Sequence, residues 1–192
     1  VLAHDSPLPR RPYRITVAGV SGSGKTTTAR AIARITGVPH TELDALHHGP
    51  GWRRRAEFLD DVRDLVARAS WVTEWQYSTA RPLITRRADL LVWLDPPFWT
   101  TTFPRVVRRT VRRRVRREVL WNGNIEPPLW QVLTDREHIV RWAVSTRRSP
   151  AEHVTRARSE DPDLPVVRLR SGPEVRDWLA GPLRRAVGAE PG

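Results

Sequence analysis

Apolar residues along this chain fall into short unbroken runs and longer stretches with helical spacing. The unbroken runs are Arg14–Ala18 (RITVA), Trp71–Thr73, Leu90–Leu94 (LLVWL) and Val166–Leu169. Runs this short and this apolar read as buried strands, because a parallel strand covered on both faces has no polar side to show. A further strand is read at Val38–Leu43. Helical spacing appears from Thr26 to Ile35, closed by Gly37. It appears again from Ala56 to Ala69, where Phe58, Leu59, Val62, Leu65 and Val66 share one face. From Thr102 to Val119, Val107, Val111 and Val115 recur at every fourth position and predict an apolar stripe on a strongly basic helix. Thr134 with Glu137 forms a capping box for another helix, with Ile139, Val140 and Ala143 on its inner side. A short amphipathic helix passes through Val175, Trp178 and Leu179. Asp44–Arg55 and Trp121–Pro128 read as turn-rich loops.

Strands alternating with helices imply a parallel sheet with right-handed crossovers. The expected architecture is a three-layer α/β/α sandwich of about five parallel strands, in a single domain over residues 12–182. A basic helical lid over about residues 105–130 is inserted between the fourth and fifth strands. Residues 1–11 are Pro-rich without an apolar period and are expected to form a loose arm, and 183–192 a flexible tail.

Composition alters this picture in three places. The 192 residues contain no cysteine, which excludes disulfides and thiolate metal sites. No apolar stretch has the length of a membrane span, so a soluble cytoplasmic protein is expected and a membrane partner is not. The formal net charge of +12 is carried almost wholly by arginine, and Lys25 is the only lysine. An arginine-biased composition weakens any inference from charge to nucleic acid. It also makes Lys25 informative, because a compact ammonium reaches between phosphate oxygens in a tight loop where a planar guanidinium fits poorly.

Lys25 closes the sequence Gly19-Val-Ser-Gly-Ser-Gly-Lys25-Thr26, which fits G-x-x-x-x-G-K-[ST] between a predicted strand and a predicted helix. This pattern predicts a P-loop that holds a nucleoside triphosphate. Backbone N–H groups over Gly19, Ser21, Gly22, Ser23, Gly24 and Thr27 curl around phosphate oxygens, and the helix adds its positive dipole end. Lys25 reaches the β- and γ-phosphates, and the Thr26 hydroxyl ligates Mg²⁺. No guanine-reading motif is visible, which favours ATP.

With these residues in view, the chain resembles the adenylate kinase-like P-loop kinases. Within that group it is similar to bacterial DNA topology modulation proteins. The matching segments are VAGVSGSGKTT, HTELDALHHGPGW, RADLLVWLDPP, RVVRRTVRRRVRRE, LWNGN and VVRLRS, running from Arg14 to about Leu179. The resemblance implies transfer of the γ-phosphoryl of Mg-ATP to a nucleotide or small-molecule acceptor. It implies that Arg105 stacks on adenine and Arg109 reaches phosphate, and that Ser171, Gly172 and Pro173 form a second adenine wall. It also implies a third strand beside the P-loop strand, making Glu74 the carboxylate nearest the metal. Where related proteins carry Asp-Gly-Asn-Tyr, this chain has Glu74-Trp75-Gln76-Tyr77.

Asp44, Glu74 and Asp95 each end a predicted strand, where ligands of open α/β sheets gather. Asp44 is the candidate for the acceptor hydroxyl or for the general base and a second candidate for the metal. Asp95 also reads as a turn cap before proline. His47 and His48 are adjacent and read as surface or acceptor-pocket residues rather than as a metal pair. Trp52, Arg53 and Arg81 are further candidates for the acceptor pocket. The basic helix admits three readings: a lid whose Arg109 and Arg113 clamp the phosphoryl group, a nucleic-acid arm, or a solvated face. No nucleic-acid reading motif accompanies it, so nucleic acid is the less favoured partner. The alternative function is an ATP-dependent DNA- or RNA-binding regulator or a slow NTPase. The acceptor and the oligomeric state are left open.

Overall fold

The computed structural model describes residues 1–116, 123, 144–146 and 149–188. Five strands form one parallel sheet: β1 (Arg14–Ala18), β2 (His40–Thr41), β3 (Trp71–Glu74), β4 (Leu90–Leu94) and β5 (Val166–Leu169). Their order across the sheet is β2-β3-β1-β4-β5. β1 is thus central, with Val17 in register with Glu74 on one side and Val92 on the other. The helices are α1 (Lys25–Thr36), α2 (Leu43–His47), α3 (Phe58–Ala67), α4 (Arg81–Thr85), α5 (Phe103–Val115), α6 (Ser149–Glu160), α7 (Gly172–Trp178) and α8 (Arg184–Gly188).

The sheet is covered on both faces, as its unbroken apolar runs require. Ile15, Val17, Leu90, Val92 and Leu94 pack with Ala29 and Ile32 of α1, with Trp178 of α7 and with Leu183. The alternate positions Ala18, Leu91 and Trp93 pack with Phe58, Val62 and Leu65 of α3 and with Val154 of α6. All five β4 residues are buried. Gly37 ends α1 at φ 73°, a left-handed conformation that favours glycine, and its N–H donates to the Ala33 carbonyl.

Several expectations need correction. The N-terminal residues do not form a loose arm: Leu2 makes a parallel bridge to Val167, with its N–H 2.7 Å from the Val166 carbonyl, and Leu8 packs on the core. Residues 183–188 do not form a flexible tail, since Leu183 is fully buried and Arg184–Gly188 is helical; the rest of the expected tail lies outside the described residues. β2 is shorter than Val38–Leu43, because Leu43 already opens α2 and turns into the core. Besides α8, three helices went unread. α4 is only five residues long, α2 lies in a segment read as loop, and α6 buries only Val154 and Ala157 on its apolar side.

The largest correction concerns α5. Its predicted apolar stripe faces outward: Val107, Val111 and Val115 are 36%, 39% and 74% exposed. The buried face instead carries Val106 and Thr110, in line with Thr102 just before the helix. The helix read from Thr134 and the break at 121–128 lie outside the described residues, Gly123 excepted. The far part of the 105–130 lid lies outside them as well.

Candidate functional site

The turn between β1 and α1 builds the floor of the site. Gly22 and Gly24 have φ of 79° and 101°, in the left-handed region that costs other residues steric strain. At Gly22 the lack of a side chain also permits a close approach by α5. A Cβ there would overlap the Val106 Cγ2 methyl and lie 3.1 Å from the Thr102 carbonyl oxygen. At Gly24 the same added atom meets nothing within 4 Å, and no side chain caps the N-terminus of α1. The first amides of a twelve-residue helix therefore open on the cleft. The Ser23 hydroxyl is buried without a hydrogen-bond partner beside them. This open cradle with its orphaned hydroxyl fits a phosphate chain.

Lys25 stands at the first turn of α1, where its ammonium donates to the Val20 carbonyl at 3.1 Å. Burial lowers its pKa to about 8, partly offset by the charges of Asp44 and Glu74, while Arg109 lowers it further. Lysine, both carboxylates and Arg109 are thus in one electrostatic neighbourhood. A guanidinium nitrogen of Arg109 donates to the Ser21 hydroxyl at 3.2 Å, tying α5 to the loop. Arg113 lines the same cleft one turn further along.

The two carboxylates have different surroundings. Glu74 is 2% exposed, with Oε2 accepting from the Leu43 N–H at 3.1 Å and Oε1 lying 3.2 Å from His40 Nε2. Burial alone would raise its pKa, but the hydrogen bond and charge of His40, with the Leu43 amide, outweigh burial and hold it below the usual carboxylate range. Asp44 Oδ1 accepts from Gln76 Nε2 and from the Tyr77 hydroxyl, both at 2.6 Å, and its Oδ2 accepts no hydrogen bond among the described residues. Asp44 therefore keeps an oxygen available to the cleft, whereas both oxygens of Glu74 are engaged. Tyr77 holds a left-handed φ of 61°, a costly conformation for an aromatic residue. Its hydroxyl also lies 3.2 Å from His48 Nε2. Burial and the adjacent Asp44 charge raise the phenol pKa, so Tyr77 stays a donor to Asp44.

Asp95 is drawn away from the loop. Arg168 binds its Oδ2 through two nitrogens, with Nε at 2.9 Å. That pair, Arg105, Ser171, Gly172 and Pro173 surround a side cavity of about 800 Å³. Arg105, Ser171 and Gly172 also line the main cleft, of about 2060 Å³, so the two spaces join. The Ser171 hydroxyl caps α7 by accepting from the Glu174 N–H at 3.3 Å, which fixes this wall.

The main cleft runs on from the P-loop past Asp44 to His47, His48, Trp52 and Arg81. Arg53 is exposed and lies outside this lining. His47 and His48 turn towards one another, with their Nδ1 atoms 3.4 Å apart, rather than pointing separate ways. His47 stacks on Tyr77 at 3.9 Å, and burial, with His48 and Arg54, lowers its pKa to about 4. Among the described residues no group of three acidic, histidine or cysteine side chains is arranged to hold a metal by itself. Trp75, which replaces a small residue of the resembled pattern, is only 6% exposed and donates to the Thr85 hydroxyl at 2.9 Å.

With this geometry established, comparison with solved structures bears on the fold. A gluconokinase from Sinorhizobium meliloti 1021 superposes with a TM-score of 0.52 and 22% identity, over 92% of this chain and 95% of that one. The fold is that of the P-loop NTPases. A shikimate kinase from Aquifex aeolicus aligns at TM-score 0.44 and 16% identity, over 92% of this chain and 99% of that one. No family model matches the chain, and no curated protein matches it in sequence. Among the described residues no helix is long and apolar enough to cross a membrane.

Sequence reasoning missed His40 beside Glu74, Gln76 as a donor to Asp44, and His153 of α6 in the cleft lining. The first two are single polar residues beside a strand end and carry no spacing signal. The third sits on a helix whose apolar pattern is too thin to read.

Proposed function

We propose that this protein is a P-loop phosphotransferase moving the γ-phosphoryl group of Mg-ATP to a small-molecule or nucleotide acceptor. The observation that carries this reading is that Lys25, Asp44 and Arg109 line one cleft with the open amide cradle, while the buried Glu74 charge acts on the same lysine. Phosphoryl transfer requires charge neutralisation and alignment more than covalent help, and this constellation supplies both. The amides from Gly22 to Thr26 and the Lys25 ammonium hold the phosphate chain, and Arg109, anchored on Ser21, meets charge that develops during transfer.

The Thr26 hydroxyl and Asp44 are the hard oxygen donors suited to Mg²⁺, which when bound neutralises phosphate charge. Glu74, with both oxygens engaged, acts through the field it exerts on Lys25 and reaches a metal only through water. Asp44 also lines the cleft that an acceptor hydroxyl would enter, and the donors Gln76 and Tyr77 hold it oriented for that proton. Arg105 with Ser171, Gly172 and Pro173 brackets the side cavity where adenine would stack against the guanidinium.

Acceptor screening read by ADP release tests the reading. Turnover rises with a particular acceptor and is abolished in Lys25→Ala with the fold retained. If no acceptor raises turnover, the assignment is wrong.

A second reading has one observation in its favour: exposed Arg108 and Arg112 of α5, with Arg116 just after it, accompany an outward valine stripe rather than a buried one. With the resemblance to DNA topology modulation proteins, this supports an ATP-dependent nucleic-acid binder. It predicts duplex or single-strand affinity that falls steeply with salt.

A further inference from the structure

Where α4 and α6 border the cleft, positive charge gathers. Arg81 begins α4 and is half-buried, and His153 lies on α6; both line the cleft. Arg81 is positioned by Trp75, its guanidinium carbon lying 5.6 Å from the centre of the ring. Arg156, one turn beyond His153, is close enough to perturb both. No carboxylate among the described residues forms an ion pair with Arg81 or Arg156; Glu152, next to His153, is the acid that favours the charged imidazole. Burial lowers the His153 pKa, and the two arginines lower it further. Burial likewise lowers that of Arg81, with Arg156 adding to the effect. Like charges brought close together from two helices, with no ion-paired acid among the described residues, are mutually destabilising until an anion joins them.

We propose that Arg81 and His153, supported by Arg156, form a subsite for an anionic group of the acceptor, a phosphate or a carboxylate, on the side of the cleft bordered by α4 and α6. This deepens the kinase reading of the cleft and rests on it for the word acceptor; the anion site itself does not. A fork of guanidinium donors with an imidazolium suits either oxyanion. The site would hold the acceptor by its charged end and leave a hydroxyl near Asp44. Binding stabilises the imidazolium, so anion affinity falls as pH rises through the range in which His153 loses its proton.

Histidine NMR on the full chain tests this, with His153→Gln assigning the resonance. Inorganic phosphate and malonate are titrated separately. At least one raises the His153 pKa by about one unit. Response to phosphate alone identifies a phosphorylated acceptor, and response to malonate alone a carboxylate. Arg81→Gln weakens the apparent affinity for the probe at least tenfold, and the milder Arg156→Gln weakens it less. In Lys25→Ala the response persists, because the P-loop is a separate anion site. The proposal is overturned if neither anion moves His153, if Arg81→Gln and Arg156→Gln leave the response intact, or if Lys25→Ala removes it. A response that persists in a protein without ATP affinity would leave the anion site standing and remove the kinase reading.

Discussion

Gly22 is where the P-loop and the basic helix press together, and Gly22→Ala measures what that contact is worth. Two costs follow from the structure. The backbone φ of 79° is left-handed, which costs an L-residue about 1–2 kcal/mol. The new methyl overlaps Val106 Cγ2 and sits 3.1 Å from the Thr102 carbonyl oxygen, and overpacking of this kind costs about 1–3 kcal/mol. The single variant should therefore lose about 3 kcal/mol of stability. Val106 is fully buried, so Val106→Ala alone loses about 2 kcal/mol by leaving a cavity. Independent effects would sum to about 5 kcal/mol in the double variant. The methyl added at position 22 instead fills space vacated by Val106, so the double variant loses about 3–4 kcal/mol, a coupling of at least about 1 kcal/mol. The backbone strain at position 22 is not relieved, so rescue is partial. Urea denaturation of the four proteins, compared at constant m-value, reads this cycle. Additivity within about 0.5 kcal/mol would refute the claim that α5 rests directly on the loop.

Other outcomes follow from the site. Because the Lys25 pKa is lowered to about 8, the unfolded chain binds the additional proton between about 8 and 10.5, so wild-type stability gains on Lys25→Met as pH rises through that window, in paired denaturation curves. Triphosphate binding restores the charged lysine, so calorimetry at about pH 8.5 in buffers of different ionisation enthalpy detects proton uptake, absent in Lys25→Met. Glu74→Gln loses about 2 kcal/mol at neutral pH, because its charge-assisted hydrogen bonds with the Leu43 N–H and His40 are replaced by neutral ones. Because Glu74 is held below its ordinary value of 4.5, that loss is constant above this pH and shrinks as pH falls through the folded value, read by acid titration of stability. Val111→Ser, on the exposed stripe, changes stability by no more than about 0.5 kcal/mol in the same denaturation assay.

Much of the fold was legible because buried parallel strands announce themselves. The predicted β1, β4 and β5 have the observed bounds, and each is a run of apolar residues fenced by proline, glycine or charge. The loop after β1 was legible for a different reason, since three glycines around one lysine meet a backbone requirement that few other sequences satisfy. The acceptor side was not legible. Its side chains reach one another across the cleft from α2, α4, α6 and the segment after β3, and each is a single polar residue with no period. The Asp44–Tyr77 bond spans 33 positions, and no local pattern encodes it. Short α4 and polar α6 owe their helicity to packing against the sheet rather than to amphipathic spacing.

The orientation of α5 follows from what it covers. Successive residues on a helix are about 100° apart, so a stripe at Val107, Val111 and Val115 is centred about 140° from one at Thr102, Val106 and Thr110. An apolar stripe normally settles inward because it meets an apolar partner. Here the partner is a loop of glycines and serines beside a lysine, against which only small or polar side chains and a single valine can lie close. Thr102, Val106 and Thr110 meet that demand and are buried at 0%, 0% and 1% exposure. The same arc holds Arg109 and Arg113, which fall within about 60° of Val106. On this geometry the two sequence expectations for the helix, an inward valine stripe and an Arg109–Arg113 clamp over the phosphates, exclude one another. Turning Val111 into the core would carry Arg109 to the opposite side of the helix, away from Ser21. The exposed valines are the consequence of giving the arginines the cleft.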